Sequence, residues 1–497
     1  MEINRKQRIF SILTILIMVV ILTCIFVACD TIGAQDSSFR VIIHTNNGQP
    51  NIVWDIATDI PSVTKDGFLF IGYFYDENFT KSVSVESLRE SNLTNDIDIY
   101  VKWAKCSEGL QYTLNDDANG YTLTGIGSCI DTNIVIPSNY KSLPVTCISD
   151  KAFYNRITIV SVIIPDSITK IGDYAFMGCY GLTVVTIGVN VEYLGRNVFR
   201  SCSGLTTVNW NAKACKDNKA LQYYPIFDGD EKLNTINIGE NVVYIPSYMF
   251  YSCVGLTGVY ITNIKKWCEI NFGNEYANPL HCAHKLYLND ELITNLIIPN
   301  GATKLSEYLF TGFSELVNVV IPDSVQLIGG KFEGCEKLQS INVSNNNTRY
   351  ASVDGILYDK AKIEIIYVPQ AIQGVVSIPN TVMKIKYDSF SNRIGLTDIT
   401  IGNGVISIEF SAFSNCTNLT NVIMGYNVKL IESGAFENCT NLRSVVFVDT
   451  TNWYVSSNSS GTKEQMNVND AQTNASNFVS QYCYSHWEKI DDNEIGT

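Results

Sequence analysis

Histidine and basic charge are what this chain of 497 residues has least of: four histidines in all, and 35 Lys and Arg against 49 Asp and Glu. A formal net charge of −14 repels a phosphate backbone, which argues against nucleic acid as a partner. Charged residues make up only 17% of the chain and hydrophobic ones 46%, too apolar a balance for disorder. The motifs of catalysis are missing as well. There is no HExxH, no G-x-S-x-G elbow and no Gly-rich dinucleotide turn, and LIGGK at residues 327–331 lacks P-loop spacing. Carboxylates such as Asp166, Asp173 and Asp323 fall singly at repeated turn positions, where turn chemistry explains them better than paired acid and base work. Cys268, His281, Cys282 and His284 are metal-ligand types, but strand alternation would send His281 and Cys282 to opposite faces. These absences point to no enzyme, no metal and no cofactor.

What the chain has in excess is internal repetition. Strand-like runs end at Ile164, Ile187 and Trp210, and again at Ile378, Ile401, Met424 and Phe447, with 23 residues between consecutive members of each set. The text between them recurs: DSITKIGDYAFMGCYGLTVVTIG, from Asp166, matches NGVISIEFSAFSNCTNLTNVIMG, from Asn403, in its isoleucine pair, Ala-Phe, cysteine and leucine. A unit that short cannot bury its own apolar face, so units must stack and give every apolar position an identical neighbour. Leu182, Val185 and Ile187 are expected to point inward from one strand, with Phe176 and Cys179 on the opposite wall. About fourteen turns, stacked at the ordinary strand spacing, predict a rod roughly 65–70 Å long. Two stretches break the period. The step from Ile261 to Ile298 widens to 37, and NNNTRYASVDGILYDKAKIEIIYVP, from Asn345, widens another; both read first as extra structural turns.

At the start of the chain, Arg5, Lys6 and Arg8 precede an uncharged apolar run over residues 9–28, followed by Cys29 and Asp30. A basic flank before an apolar run is an export signal. Twenty helical residues rise about 30 Å, enough to span a bilayer, so a retained membrane helix is the alternative to a cleaved signal. Residues 1–29 are thus signal or anchor, and the polar residues 30–38 suit a tether. Residues 39–106 carry the strand-like and Gly-interrupted aromatic runs of a small β-rich domain. Residues 107–447 hold the repeats, with an irregular first turn expected over 112–136. Residues 448–497, ending in FVSQYCYSHW and a polar tail, would cap the raw edge of the last turn.

Fifteen cysteines in an exported chain first suggest a disulfide framework. Yet Cys179, Cys202, Cys253, Cys335, Cys416 and Cys439 each sit three residues after the repeat phenylalanine. Stacked side chains point the same way, which brings sulfurs together but denies them the near-perpendicular dihedral of a disulfide. The expectation is a structural ladder of buried free thiols acting as small apolar filler. A bond among Cys106, Cys129 and Cys147 stays open.

Three stretches resemble known families. Units such as IPDSITKIGDYAFMGCYGLTVVTIG resemble the BspA-like leucine-rich repeat almost residue for residue, from about Gly109 to about Ile490, spacing breaks included. Phe26, Val27, Ala28 and Cys29 resemble the lipobox of bacterial lipoproteins, with Phe26 where leucine is usual; this implies that Cys29 is the site of lipid attachment. GFLFIGYFYDENFT followed by DIDIYVKWAK, within residues 39–105, is similar to the B-repeat of internalins, with Tyr73 where tryptophan is common. Together they imply a β-rich solenoid of leucine-rich repeats, preceded by a small β-grasp-like domain and held to a bacterial membrane through lipid or an N-terminal helix. The implied role is surface adhesion or ligand binding, with a host matrix protein, a glycan or another cell-surface ligand as partner. The alternative is a scaffold of the bacterial envelope without a foreign ligand.

Overall fold

The computed structural model describes residues 40–90, 95–456 and 463–490. Cys29 and the apolar run before it lie outside the described residues. Among those described, no helix is long and apolar enough to cross a membrane. The chain divides into two compact units, one ending at Ala104 and the other beginning at Lys105.

The first unit is a mixed five-stranded sheet in the order Ile52–Trp54, Val41–His44, Ile97–Lys105, Phe68–Phe74, Ser82–Val83. Its first and last strands in sequence lie side by side and parallel, Val41 opposite Ile97. Alternation does the rest: Val41 and Ile43 turn inward onto Trp54, Ile99, Val101 and Leu88, the last from the helix Val85–Glu90.

The second unit is a β-solenoid of about fourteen turns with a period near 23 residues. Each regular turn has three walls. A long strand such as Val184–Ile187 forms the first, a two-residue strand such as Tyr193–Leu194 the second, and an irregular segment carrying Phe199 and Cys202 the third. Long strands pair in parallel and in register, so that Val162, Val185, Val208, Ile236, Val259 and Leu286 form one buried row. On the third wall Phe153, Phe176, Phe199, Phe227 and Phe250 stack with centroids 4.9, 5.3, 5.8 and 6.2 Å apart. Backbone bonds join successive turns there too, the Phe176 N–H donating to the Val198 carbonyl and the Phe413 N–H to that of Ala435.

The turn carboxylates also work between turns. Asp166 accepts from the Val189 N–H and Asp173 from the Arg196 N–H, each at 2.8 Å and 23 residues on. These acids satisfy backbone donors of the next turn, which no strand partner reaches. Close approach fixes Gly402, where a Cβ would stand 2.5 Å from the Ile378 and Pro379 carbonyl oxygens of the turn before.

The spacing breaks are structural turns of another kind. After Ile261 the chain forms helices Ile264–Glu269 and Leu280–Ala283, and the hairpin of Leu286–Leu288 with Glu291–Leu292 ends the first long-strand sheet. The second break is an antiparallel meander of Tyr350–Val353, Ile356–Asp359 and Ile365–Tyr367. It partitions the core: Leu357 joins the apolar cluster that starts at Leu110, whereas Ile356 and Tyr358 join the one that ends at Trp487. Strand alternation is the reason, since neighbouring side chains leave on opposite faces. A third widening, 28 residues from Trp210 to Ile238, holds a 3-10 turn at Lys219–Gln222.

Both ends of the stack are closed by antiparallel pairing. The first turn begins with a hairpin of Gln111–Leu114 and Tyr121–Gly125. At the far end His486–Lys489 pairs with Leu430–Ile431, and the helix Ala471–Val479 lays Phe478 against Phe436 and Trp487. Asn474 donates to the Val445 carbonyl of the last long strand at 2.9 Å.

Because Phe413 is fully buried between Phe390 and Phe436, at 4.9 and 5.1 Å, its replacement by alanine is expected to cost about 3–5 kcal/mol. Phe410→Ala, three residues earlier on an exposed ring, should change stability by less than about 1 kcal/mol. Chemical denaturation of the two variants checks this, and equal costs would refute the ladder.

Candidate ligand-binding face

The exposed side of each wall differs in chemistry. Short-strand and turn positions carry the charge, in pairs such as Lys216 with Glu192 at 2.7 Å and Lys384 with Glu409 at 2.9 Å. The long strands of the first two long-strand sheets carry none; in the last sheet Asp398 does. Over the ten parallel strands from Asn133–Val135 to Ser340–Val343 no outward position is acidic or basic. Each run alternates buried and outward residues, and Thr186, Asn209, Asn237, Tyr260 and Tyr287 are outward residues of VVTI, TVNW, TINI, GVYI and LYL.

Pairing in register turns these five into a row. Asn209 Nδ2 donates to Thr186 Oγ1 at 2.8 Å and Asn237 Nδ2 to Asn209 Oδ1 at 2.6 Å. Tyr260 and Tyr287 continue the row with rings stacked 4.6 Å apart and 8° from parallel. Their rings lie across Gly258, where a Cβ would stand 2.9 and 3.0 Å from ring carbons of the two tyrosines. A second amide row follows: Asn318 Nδ2 donates to Asn295 Oδ1 at 2.6 Å, and the Ser340 hydroxyl to Asn318 Oδ1 at 2.5 Å. Sequence alone does not single these residues out. Their signal was present in the uncharged outward member of each strand run, legible only once the register was known.

The structure also has a mostly apolar groove of about 510 Å³ beside the last long-strand sheet, lined in part by Val353, Lys362, Pro379, Ile401 and Met424. No carboxylate, histidine or cysteine lines it.

The cysteine ladder lies inside. Cys179, Cys202, Cys253, Cys335, Cys416 and Cys439 are all buried, and all are free thiols. They act as more than filler. The thiols of Cys179, Cys202, Cys335, Cys416 and Cys439 donate to the carbonyls of Phe153, Phe176, Phe310, Phe390 and Phe413, at 3.0–3.2 Å, so each thiol bonds the turn before its own. Burial pushes the Cys335 thiol up to about 12. Cys106, Cys129 and Cys147 are free thiols, with no disulfide among them. The histidine and cysteine group is spread over separate contacts: Cys268 is buried, His284 Nδ1 meets the Gly312 carbonyl at 3.0 Å, and His281 packs edge-on against Tyr276. Among the described residues no three His, Cys, Asp or Glu side chains are placed to hold a metal ion.

Two turns put other chemistry at the cysteine position. Arg393 stands three residues after Phe390 and donates to the Ser391 and Val368 carbonyls at 2.5 and 2.7 Å. Asp230 stands three residues after Phe227, buried, with no hydrogen bond of ordinary geometry to either carboxylate oxygen.

The profile of the BspA type Leucine rich repeat region matches this chain over residues 146–277, 283–375 and 372–490, more than half its length. The chain belongs to the BspA-type leucine-rich-repeat family. The BspA-type match does not extend to the first unit. No curated protein matches the chain. Solved structures similar to this BspA-type chain include a leucine rich cell surface protein from Faecalibacterium prausnitzii, 22% identical over 70% of this chain and 96% of that one, with a TM-score of 0.33. A leucine-rich repeat protein from Bacteroides ovatus is 19% identical over 68% and 93%, with a TM-score of 0.36. The pneumococcal vaccine antigen PcpA is 18% identical over 70% and 82%, with a TM-score of 0.30.

Burial pushes the Asp230 carboxyl up to about 8, aided by the charge of Asp228, with the Cys202 N–H offsetting only part of the rise. The folded state therefore holds a proton that the unfolded chain releases near pH 4, so stability falls as pH rises from about 4 to about 8 and then levels off. Asp230→Asn is expected to remove that decline and to stabilise the chain at pH 8 by on the order of 3 kcal/mol. Thermal unfolding from pH 4 to 9 measures it; parallel profiles for the two proteins would refute a buried, protonated Asp230.

Proposed function

We propose that this chain is a lipid-anchored bacterial surface protein that captures ligands for adhesion on the long-strand face of its solenoid and performs no catalysis. The observation that carries this reading is the face itself: the ten parallel strands of the first two long-strand sheets present uncharged side chains outward, while ion pairs stand on the short-strand and turn positions. A rigid, repetitive surface suits many weak contacts with an extended partner, such as a host matrix protein or a glycan. In this reading Cys29 bears the lipid, residues 30–38 form the tether, and the first unit serves as an internalin B-repeat-like spacer at the membrane end. Export follows from the basic flank and apolar run of residues 5–28.

The anchor is tested by Cys29→Ala in the producing cell. The unsubstituted chain is expected to mature to a lipidated form beginning at Cys29 and to enter the detergent phase, while the variant keeps its full N-terminal mass. Two proteins of the same unprocessed mass would point to a retained membrane helix instead. Cells lacking the chain should attach poorly with an intact envelope; normal attachment with a leaky envelope would favour a scaffold.

A further inference from the structure

Resting on that reading, we infer that the long-strand face between Thr186 and Tyr287 is a carbohydrate-binding surface for an uncharged polysaccharide. Three observations narrow the partner. The first is charge: a cationic partner would seek carboxylates and a polyanion would be repelled by the net charge of −14, yet no outward position of seven adjacent strands carries either sign, and Asp290, whose charge reaches Tyr260, stands in the turn that follows them. What it offers is hydroxyl and amide chemistry, the donors and acceptors that match sugar hydroxyls one for one.

The second is preorganisation. Asn237, Asn209 and Thr186 hold one another through bonds of 2.6 and 2.8 Å, so the amide planes are fixed before any ligand arrives while Asn237 Oδ1 and the Thr186 hydroxyl hydrogen stay unused in the row. Side chains already ordered lose little entropy on binding. The third is the tyrosine pair, which adds two large rings with phenolic groups at the end of the amide row. Tyrosine supplies rigid amphipathic contact area at low entropic cost. Gly258 is the structural investment in that pair, since any side chain there would displace both rings. Successive strands repeat at about 4.7–4.9 Å, so a polymer of identical sugars meets a similar group at each turn. A protein ligand would seek instead a central pocket for an apolar anchor, and the row is a ladder of polar groups.

The test uses the full chain in detergent, on a biosensor surface, against neutral polysaccharides (a glucan, a mannan and a galactan), a polyanionic polysaccharide and a matrix protein. At least one neutral polysaccharide is expected to bind, with little dependence on salt. Tyr287→Ala and Asn237→Asp should each weaken that binding by about tenfold or more. Tyr223→Ala, on an exposed ring elsewhere, should stay within about twofold. Melting temperatures verify that each variant is folded. Neutral polysaccharide bound equally well by Tyr287→Ala and Asn237→Asp would overturn the inference by moving the site. Matrix protein bound in place of polysaccharide, and lost in those two variants, would overturn the ligand class while leaving the ligand-binding reading standing. Binding of neither would sink both.

Discussion

A turn of 23 residues has no inside of its own. Val185, Ile187, Phe176 and Cys179 are buried only because the turns on either side cover them, and every other feature of the second unit follows from that dependence. Leucine, valine or phenylalanine at such a position contributes about 1.5–3 kcal/mol by leaving water, but only when a neighbour supplies the other half of the contact. The stabilising surface is therefore the interface between turns. The same interface explains the bonds that cross it: aspartates that reach the next turn's N–H, thiols that reach the previous turn's carbonyl, and glycines where backbones touch.

Dependence on a neighbour creates a problem wherever the series stops. The chain solves it four times with antiparallel strands, and one of them is the hairpin of Leu286–Leu288 with Glu291–Leu292 that ends the first long-strand sheet. The hairpin at Gln111–Gly125 starts the stack, the meander at Tyr350–Tyr367 partitions it, and His486–Lys489 with the Ala471–Val479 helix ends it. Antiparallel pairing takes up the open ladder groups and at the same time changes which side chains face the core. The Phe ladder records these events. It runs unbroken from Phe153 to Phe250, again from Phe310 to Phe332, and again from Phe390 to Phe436, and the gaps coincide with the widened repeats.

The period of 23 made the solenoid legible in the sequence, because a repeated spacing of isoleucine, phenylalanine, cysteine and leucine has few physical explanations. The buried positions followed directly, as with Leu182, Val185 and Ile187. Register did not follow, and with it went the binding face. Asn209 and Asn237 look like ordinary strand residues until pairing aligns them, because they stand 28 residues apart across an irregular turn. The polar role of the thiols was hidden for a similar reason: the carbonyl that each donates to belongs to another turn. Asp230 and Arg393 were invisible as members of the cysteine series because they share its place and not its chemistry.

If covering by neighbours is what holds the fold, register should matter more than the amount of chain present. Deleting residues 403–425 removes one complete turn and leaves Gly402 joined to Tyr426, the equivalent of its own next residue in the repeat. Deleting only residues 403–413 removes half as much chain and destroys the alignment of everything after it. Calorimetry of the two proteins is the direct measurement. The full-turn deletion is predicted to unfold cooperatively with a modestly lower melting temperature, and the half-turn deletion to lose the transition of the second core. A half-turn deletion as stable as the full-turn one would contradict the account.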